Sequence, residues 1–197
     1  IFCGGADYKA LSGYVAADHY DPALSVDAGR PGYGVREEFD ADMVWQLGLR
    51  KPLIAAVNGA CAGIAVAIMA FCDLRFAVAD AKITTVAPKI GLPAEYGLSW
   101  ILPRLMGVTY AADLILSGRV AVAEELRHTG LFNQVLPRAG FLAAVHAYAR
   151  LLADASPQAV STAKRQLWDD VLSSHPARSV ERSKKEIERH MQGPDYA

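Results

Sequence analysis

Charge names no partner for this chain of 197 residues, because it has almost none to spare. Lys and Arg number 20 against 21 Asp and Glu, a net of -1, so the basic surplus that draws a nucleic acid or an anionic membrane is missing. Cysteine is scarce too. Cys3, Cys61 and Cys72 sit in apolar settings, none in a CxxC pair, which excludes a disulfide framework and fits a reducing cytoplasm. His19, His128, His146, His175 and His190 lack metal-ligand spacing, and Ser99 lacks the G-x-S-x-G elbow of a hydrolase. There is no initiator methionine, basic leader or cleavage site; Ile1-Phe2-Cys3 reads as a strand already under way, which predicts a fragment or processed chain with preceding strands. One apolar run, Leu53 to Cys72, has the length of a membrane span. Asn58, Gly59 and Gly63 interrupt it, splitting it into a strand over 53–57 and a buried helix over 64–71.

What is present suits one globular domain: the length is right for a single core, and 52% of residues are hydrophobic. Residues 11–35 mix Gly, Pro, Asp and Tyr without periodicity and read as a long functional loop. A helix is predicted over 36–49, stopped by Lys51-Pro52. Strands are expected at 74–79, at the β-branched run 82–86, and at 132–136. Further helices are read at 108–116, ending on a Ser117-Gly118 cap, and at 123–128, 141–153, 157–171 and 177–191. Ser156 is the N-cap for Pro157 at the first helical position. Strands early and helices late predict an α/β fold with a helical C-terminal part.

Two loops have the makings of an oxyanion hole. Catalysis of enolate formation gains most from fixed donors placed where negative charge develops, and backbone N–H groups are such donors. Gly4-Gly5-Ala6-Asp7 follows a strand directly, and its glycines permit close approach to a ligand. Ala62-Gly63-Ile64 opens a buried helix, where the first N–H groups lack internal partners. Either loop alone reads more readily as an ordinary turn.

Taken in order, the motifs resemble the crotonase superfamily, the enoyl-CoA hydratases and isomerases. Phe2-Cys3-Gly4-Gly5-Ala6-Asp7 is similar to its first oxyanion motif, and Lys51 to Gly59, continuing to Cys72-Asp73, to its second. Ser117-Gly118-Arg119, Ala123-Glu124-Glu125, Gly130-Leu131, Asn133 to Pro137 and Ser156-Pro157-Gln158-Ala159 with Ala163-Lys164 continue the likeness through nearly the whole chain. The resemblance implies a spiral of ββα units, with residues 1–137 forming the core and 138–197 a helical trimerisation part of the same domain. It implies trimers or pairs of trimers, a cytoplasmic acyl-CoA-acting enzyme of fatty acid metabolism, no cofactor beyond the coenzyme A of its substrate, no metal, and neither nucleic acid nor membrane as partner. It places the two oxyanion donors on the N–H groups of Ala6 and Ile64, the latter where the family has the middle glycine of a Gly-Gly-Gly turn. Ala6, Asp7, Tyr8, Lys9, Gly63 and Ile64 fall where coenzyme A is gripped, though Lys9 serves equally as a solvated surface lysine. Gly193-Pro194-Asp195-Tyr196 looks like the lead-in to a further helix.

The acid–base residues separate the reactions. Hydratases of the family use two glutamates, and here those positions are Ala67 and Ala87, neither able to move a proton. Glu95, in Gly91-Leu92-Pro93-Ala94-Glu95-Tyr96-Gly97, stands where the family's isomerases carry a single catalytic carboxylate. The competing reading makes Glu95 a cap for a helix starting near Leu98. By the same resemblance Asp18, His19 and Asp21 border the acyl pocket, with a solvated loop as the alternative; Tyr96 and Trp100 are core or pocket wall. Isomerisation is therefore the first expectation. Hydration with an atypical acid–base set and a non-catalytic acyl-CoA-binding or assembly subunit are the alternatives.

Overall fold

The computed structural model describes residues 1–7, 35–40, 43–172, 181, 184–187 and 189. Among the described residues six short strands carry the fold: β1 (Ile54–Val57), β2 (Cys61–Ala62), β3 (Leu74–Val78), β4 (Lys82–Thr84), β5 (Ala121–Val122) and β6 (Gln134–Leu136). They form two three-stranded sheets, ordered β1-β3-β6 and β2-β4-β5. Each turn of chain contributes one strand to each sheet, which makes the architecture a spiral. β1 pairs parallel with β3, Ile54 opposite Leu74, and β3 with β6, Phe76 opposite Gln134. β2 pairs parallel with β4, Cys61 opposite Ile83, while β5 runs antiparallel to β4.

The burial patterns follow from this order. β1, an edge strand, alternates part-buried and buried residues, whereas in the central β3 the last four residues are all buried, as a strand covered on both faces requires. Five helices complete the described fold: α1 (Trp45–Gly48), α2 (Ile64–Ala70), α3 (Leu98–Ser117), α4 (Phe141–Ala153) and α5 (Pro157–Val171). α2 is apolar all round, with Ala65, Val66, Ala67, Met69 and Ala70 at 0% exposure, so it is packed inside the spiral rather than laid on its surface. α3 is two helices meeting at Gly107, whose φ of 73° and ψ of 161° are not helical. Ser156 caps α5 as expected, its Oγ accepting from the Ala159 N–H at 3.2 Å.

Some expected elements differ. The single helix over 36–49 is a 3-10 turn at Glu37–Phe39 and the short α1, because Asp40 leaves helical geometry (ψ 63°) and Met43 is left-handed (φ 64°). The strand expected over 82–86 stops at Thr84, since Val86 turns left-handed (φ 55°). Residues 123–128 supply a 3-10 turn over Ala123–Leu126 rather than a full helix. Of the helix expected over 177–191, Glu181, residues 184–187 and Arg189 are helical, and the rest lies outside the described residues. No described helix is long and apolar enough to cross a membrane.

Two buried ionic groups fix α2 and α5 to the sheets. Arg75 of β3, 6% exposed, donates to the carbonyls of Leu131 (2.8 Å), Ala70 (3.2 Å) and Cys72. The guanidinium thus meets the carbonyl-rich C-terminal end of α2, where a cation is stabilising. Asp73 accepts from the Leu53 N–H (2.7 Å), the Trp168 indole (2.8 Å) and the Lys164 ammonium (2.7 Å). Lys164 donates further to the carbonyls of Gln46 and Lys51, each at 3.0 Å. Each charge has several polar partners, the condition under which a buried ion pair is tolerated.

Candidate active site

The two glycine loops are brought side by side by the strand segments that precede them. Cys3 bridges Cys61 in parallel register. The N–H groups of Phe2 and Cys3 both donate to Ala60 O (2.9 and 3.0 Å), and Ala62 N–H donates to Cys3 O (3.1 Å). Directly beyond, the chains come still closer: a Cβ added to Gly5, whose φ is 91°, would lie 2.8 Å from Ala62 O. Only glycine fits there, on both conformational and steric grounds. Gly63, with φ 57° and ψ -128°, is the N-cap of α2, and its N–H donates to Thr84 O at 3.0 Å. Ile64 follows as the first residue of the helix, a position whose N–H has no intrahelical acceptor. Ala6 is exposed and Ile64 part-buried. The expected donor loops are thus neighbours in space, 58 residues apart in sequence.

A third segment reaches them from β4. Thr84 holds the Gly63 N–H, and Val86 Cγ1 lies 3.9 Å from where a Gly63 Cβ would stand. Val86 is β-branched and left-handed, a strained state that persists only where the surroundings impose it. Leu92 N–H then donates back to Ala87 O at 2.9 Å. From Leu92 to Glu95 is three residues, at most about 11 Å of chain.

Glu95 does not cap α3. The N-cap is Gly97 with no side-chain cap bond, and two consecutive left-handed residues, Tyr96 (φ 48°) and Gly97 (φ 74°), separate the carboxylate from the helix. Among the described residues its carboxylate has no hydrogen bond or ion pair, and partial burial raises its pKa above the ordinary glutamate value. Apolar surroundings disfavour the charged form, the condition of a carboxylate that exchanges protons. Five residues on, Trp100 is part of an aromatic stack. The Trp100 ring stacks on Phe71 (centroids 6.3 Å, planes 5° apart), and the Arg104 guanidinium lies 4.0 Å from the Trp100 ring centroid. Tyr96 and Trp100 are both partly buried and packed against the core.

Ala67 and Ala87, the positions expected for a hydratase's glutamate pair, are 0% and 1% exposed. Tyr8, Lys9, Asp18, His19 and Asp21 lie outside the described residues. Asp7 is exposed beside Ala6. Among the described residues no group of three or more His, Cys, Asp or Glu could hold a metal ion.

Two clefts lie away from these loops. One of about 540 Å³ is lined by Arg36, Phe39, Arg50, Gln158, Arg165 and Arg189 among others, and contains neither glycine loop nor Glu95. Three of its four guanidinium groups are engaged, Arg36 by Asp169 and both Arg165 and Arg189 by Glu186. Two carboxylates therefore offset half of the positive charge of these four groups. Sequence reasoning missed the Cys3–Cys61 pairing, because β2 is only two residues long and hidden in what reads as a turn.

The sequence profile of the enoyl-CoA hydratase/isomerase family matches residues 1–192. A probable enoyl-CoA hydratase, echA12 of Mycobacterium bovis, is 35% identical over 170 residues, covering 85% of this chain and 57% of that protein. The chain thus spans just over half the length of that curated relative. A probable enoyl-CoA hydratase/isomerase from Mycobacterium abscessus has the same fold, with a TM-score of 0.81 at 28% identity over 98% of this chain and 70% of that one. A monofunctional enoyl CoA isomerase from M. smegmatis superposes with a TM-score of 0.63 at 29% identity over 80% of this chain and 69% of that one.

Proposed function

Because the chain belongs to the enoyl-CoA hydratase/isomerase family, we propose that it binds an acyl-CoA thioester and moves a double bond along the acyl chain. The N–H groups of Ala6 and Ile64 hold the thioester oxygen, and Ala6, Asp7 and Gly63, with Tyr8 and Lys9, contact coenzyme A. Glu95 takes a proton from C2 of a 3-enoyl-CoA, leaving a dienolate whose negative charge rests on the thioester oxygen between the two N–H donors. The same carboxyl group then returns the proton at C4, giving the 2-enoyl-CoA. One base suffices, since it ends the cycle as it began. The observation that carries this reading is the contrast of carboxylates: Ala67 and Ala87 stand buried at the glutamate positions, whereas Glu95 is half-buried with a raised pKa. A homotrimer or pair of trimers, assembled through residues 138–197 as a part of one domain with the core, is proposed with it.

The test is turnover of 3-enoyl-CoA by wild type and Glu95→Gln. Loss of isomerisation on the order of 10²-fold or more, with acyl-CoA affinity retained, is the expected result. Full activity in that variant would overturn the assignment. The 35% identity to a protein named as a hydratase favours one alternative, hydration with Glu95 as sole base. Incubation of 2-enoyl-CoA in heavy-oxygen water separates the two, since only hydration carries the label into product.

A further inference from the structure

The pairing of Cys3 with Cys61 has no part in the proton transfer. Both residues have a fixed relation to it: Cys3 is three residues before Ala6, and Cys61 three before Ile64. They are opposite each other in parallel register, so their Cα atoms are about 4.8 Å apart, as in neighbouring strands, within the range that disulfides bridge, about 4.4–6.8 Å. Residues paired in register direct their side chains to the same face of a sheet. Both thiols are free; Cys61 is fully buried and Cys3 partly exposed. Burial, with Cys3 nearby, pushes the Cys61 thiol up to about 12, which keeps it protonated, so oxidation begins at Cys3. The third thiol, Cys72, is engaged elsewhere, donating to Ile68 O at 3.3 Å and Gln46 Oε1 at 3.5 Å.

We propose that Cys3 and Cys61 form a redox latch: oxidation by a peroxide joins them in a disulfide that ties together the strands leading into the two oxyanion loops and weakens the hold on the thioester oxygen. The effect on the oxygen rests on the reading of Ala6 and Ile64 as donors. In the first step a peroxide oxidises the more accessible Cys3 thiol to a sulfenic acid, transferring one oxygen and releasing water. In the second, Cys61 sulfur attacks Cys3 sulfur; the S–S bond forms, the S–O bond breaks, and the hydroxyl leaves as water with the Cys61 proton. Two equivalents of a small thiol reverse it. The bridge draws two sulfur atoms to bonding distance, about 2.0 Å, directly behind a contact already so tight that Gly5 tolerates no Cβ.

The experiment treats the whole chain with hydrogen peroxide, blocks remaining thiols, and maps linked peptides by mass. Affinity for a 3-ketoacyl-CoA, whose enolate charges the thioester oxygen, is measured alongside turnover of a 3-enoyl-CoA. The expected result is a Cys3–Cys61 linked peptide, with turnover and affinity each falling on the order of tenfold or more and both restored by dithiothreitol. Cys3→Ala and Cys61→Ala each abolish the link and the reversible loss, while Cys72→Ala keeps both. Oxidation of Cys3 without a link overturns the latch and leaves the catalytic reading standing. A link with unchanged affinity and turnover overturns the coupling to the oxyanion loops. A reduced protein that neither binds nor turns over acyl-CoA overturns the catalytic reading and the coupling with it.

Discussion

Replacing Gly5 by alanine tests whether the two loops act as one hole. The added Cβ would stand 2.8 Å from Ala62 O, and reaching ordinary contact at 3.4 Å requires the loops to part by about 0.6 Å. The backbone also has to hold an alanine at φ 91°, outside the regions open to L-residues, at a cost of about 1–3 kcal/mol. A displacement approaching 1 Å between catalytic groups costs up to about 10²-fold in rate. Gly5→Ala is therefore expected to lower kcat/KM for 3-enoyl-CoA on the order of tenfold to a hundredfold, alongside a modest loss of stability. Gly4→Ala is the control: among the described residues its added Cβ meets only the Ile1 side chain, at 3.5 Å. Steady-state kinetics and urea unfolding of the two variants decide the matter. Equal kcat/KM in Gly5→Ala and wild type would refute the idea that this contact sets the hole.

Further outcomes follow from the same structure. Burial raises the Glu95 pKa above its unfolded value, so its contribution to stability is fully present below the ordinary carboxylate range and is lost as pH rises through the folded value. Glu95→Gln removes that decline. Its melting temperature relative to wild type should rise as pH climbs above the ordinary glutamate range, and a constant difference would contradict the assignment of burial as the cause. Lys164→Met leaves Asp73 with an uncompensated charge at a site where the Lys164 and Asp73 side chains are 5% and 10% exposed, with an expected cost of about 3–5 kcal/mol in urea unfolding; a cost below about 1 kcal/mol, the scale of a surface pair, counts against a structural clamp. Ala67→Glu and Ala87→Glu place a carboxylate where exposure is 0% and 1%, and each is expected to destabilise by at least about 2–3 kcal/mol. A stable double variant that hydrates 2-enoyl-CoA would show instead that those positions open into the pocket.

Much of this fold is written locally. The α4 and α5 boundaries agree with the expected 141–153 and 157–171, because long helices carry their own signals in Ser156, Pro157 and a repeating apolar face. β1 and β3 were legible as β-branched or apolar runs. The two-residue strands β2 and β5 were not, since segments so short take their identity from the partner strand rather than from their own pattern. The break near Met43 and the end of β4 at Val86 depend on left-handed backbone at residues other than glycine, which tertiary packing imposes and no propensity announces. The two glycine loops were readable from glycine placement. Their contact through Gly5 and Ala62, and the lack of a capping role for Glu95, required coordinates.

The Asp73 carboxylate gathers groups from three stretches of chain: Leu53 at the start of β1, Lys164 and Trp168 on α5, and, through Lys164, the carbonyls of Gln46 and Lys51. A helix moored in this way has no low-energy route to peel off by itself. Amide hydrogens in α5 around Lys164 and Trp168 are accordingly expected to exchange at the rate of β1 and β3, through global rather than local opening. Should they exchange much faster, the helical end would be an independently opening unit. If they exchange together, a change in α5 is felt at the start of β1, the strand that leads through Asn58 and Gly59 into the second glycine loop.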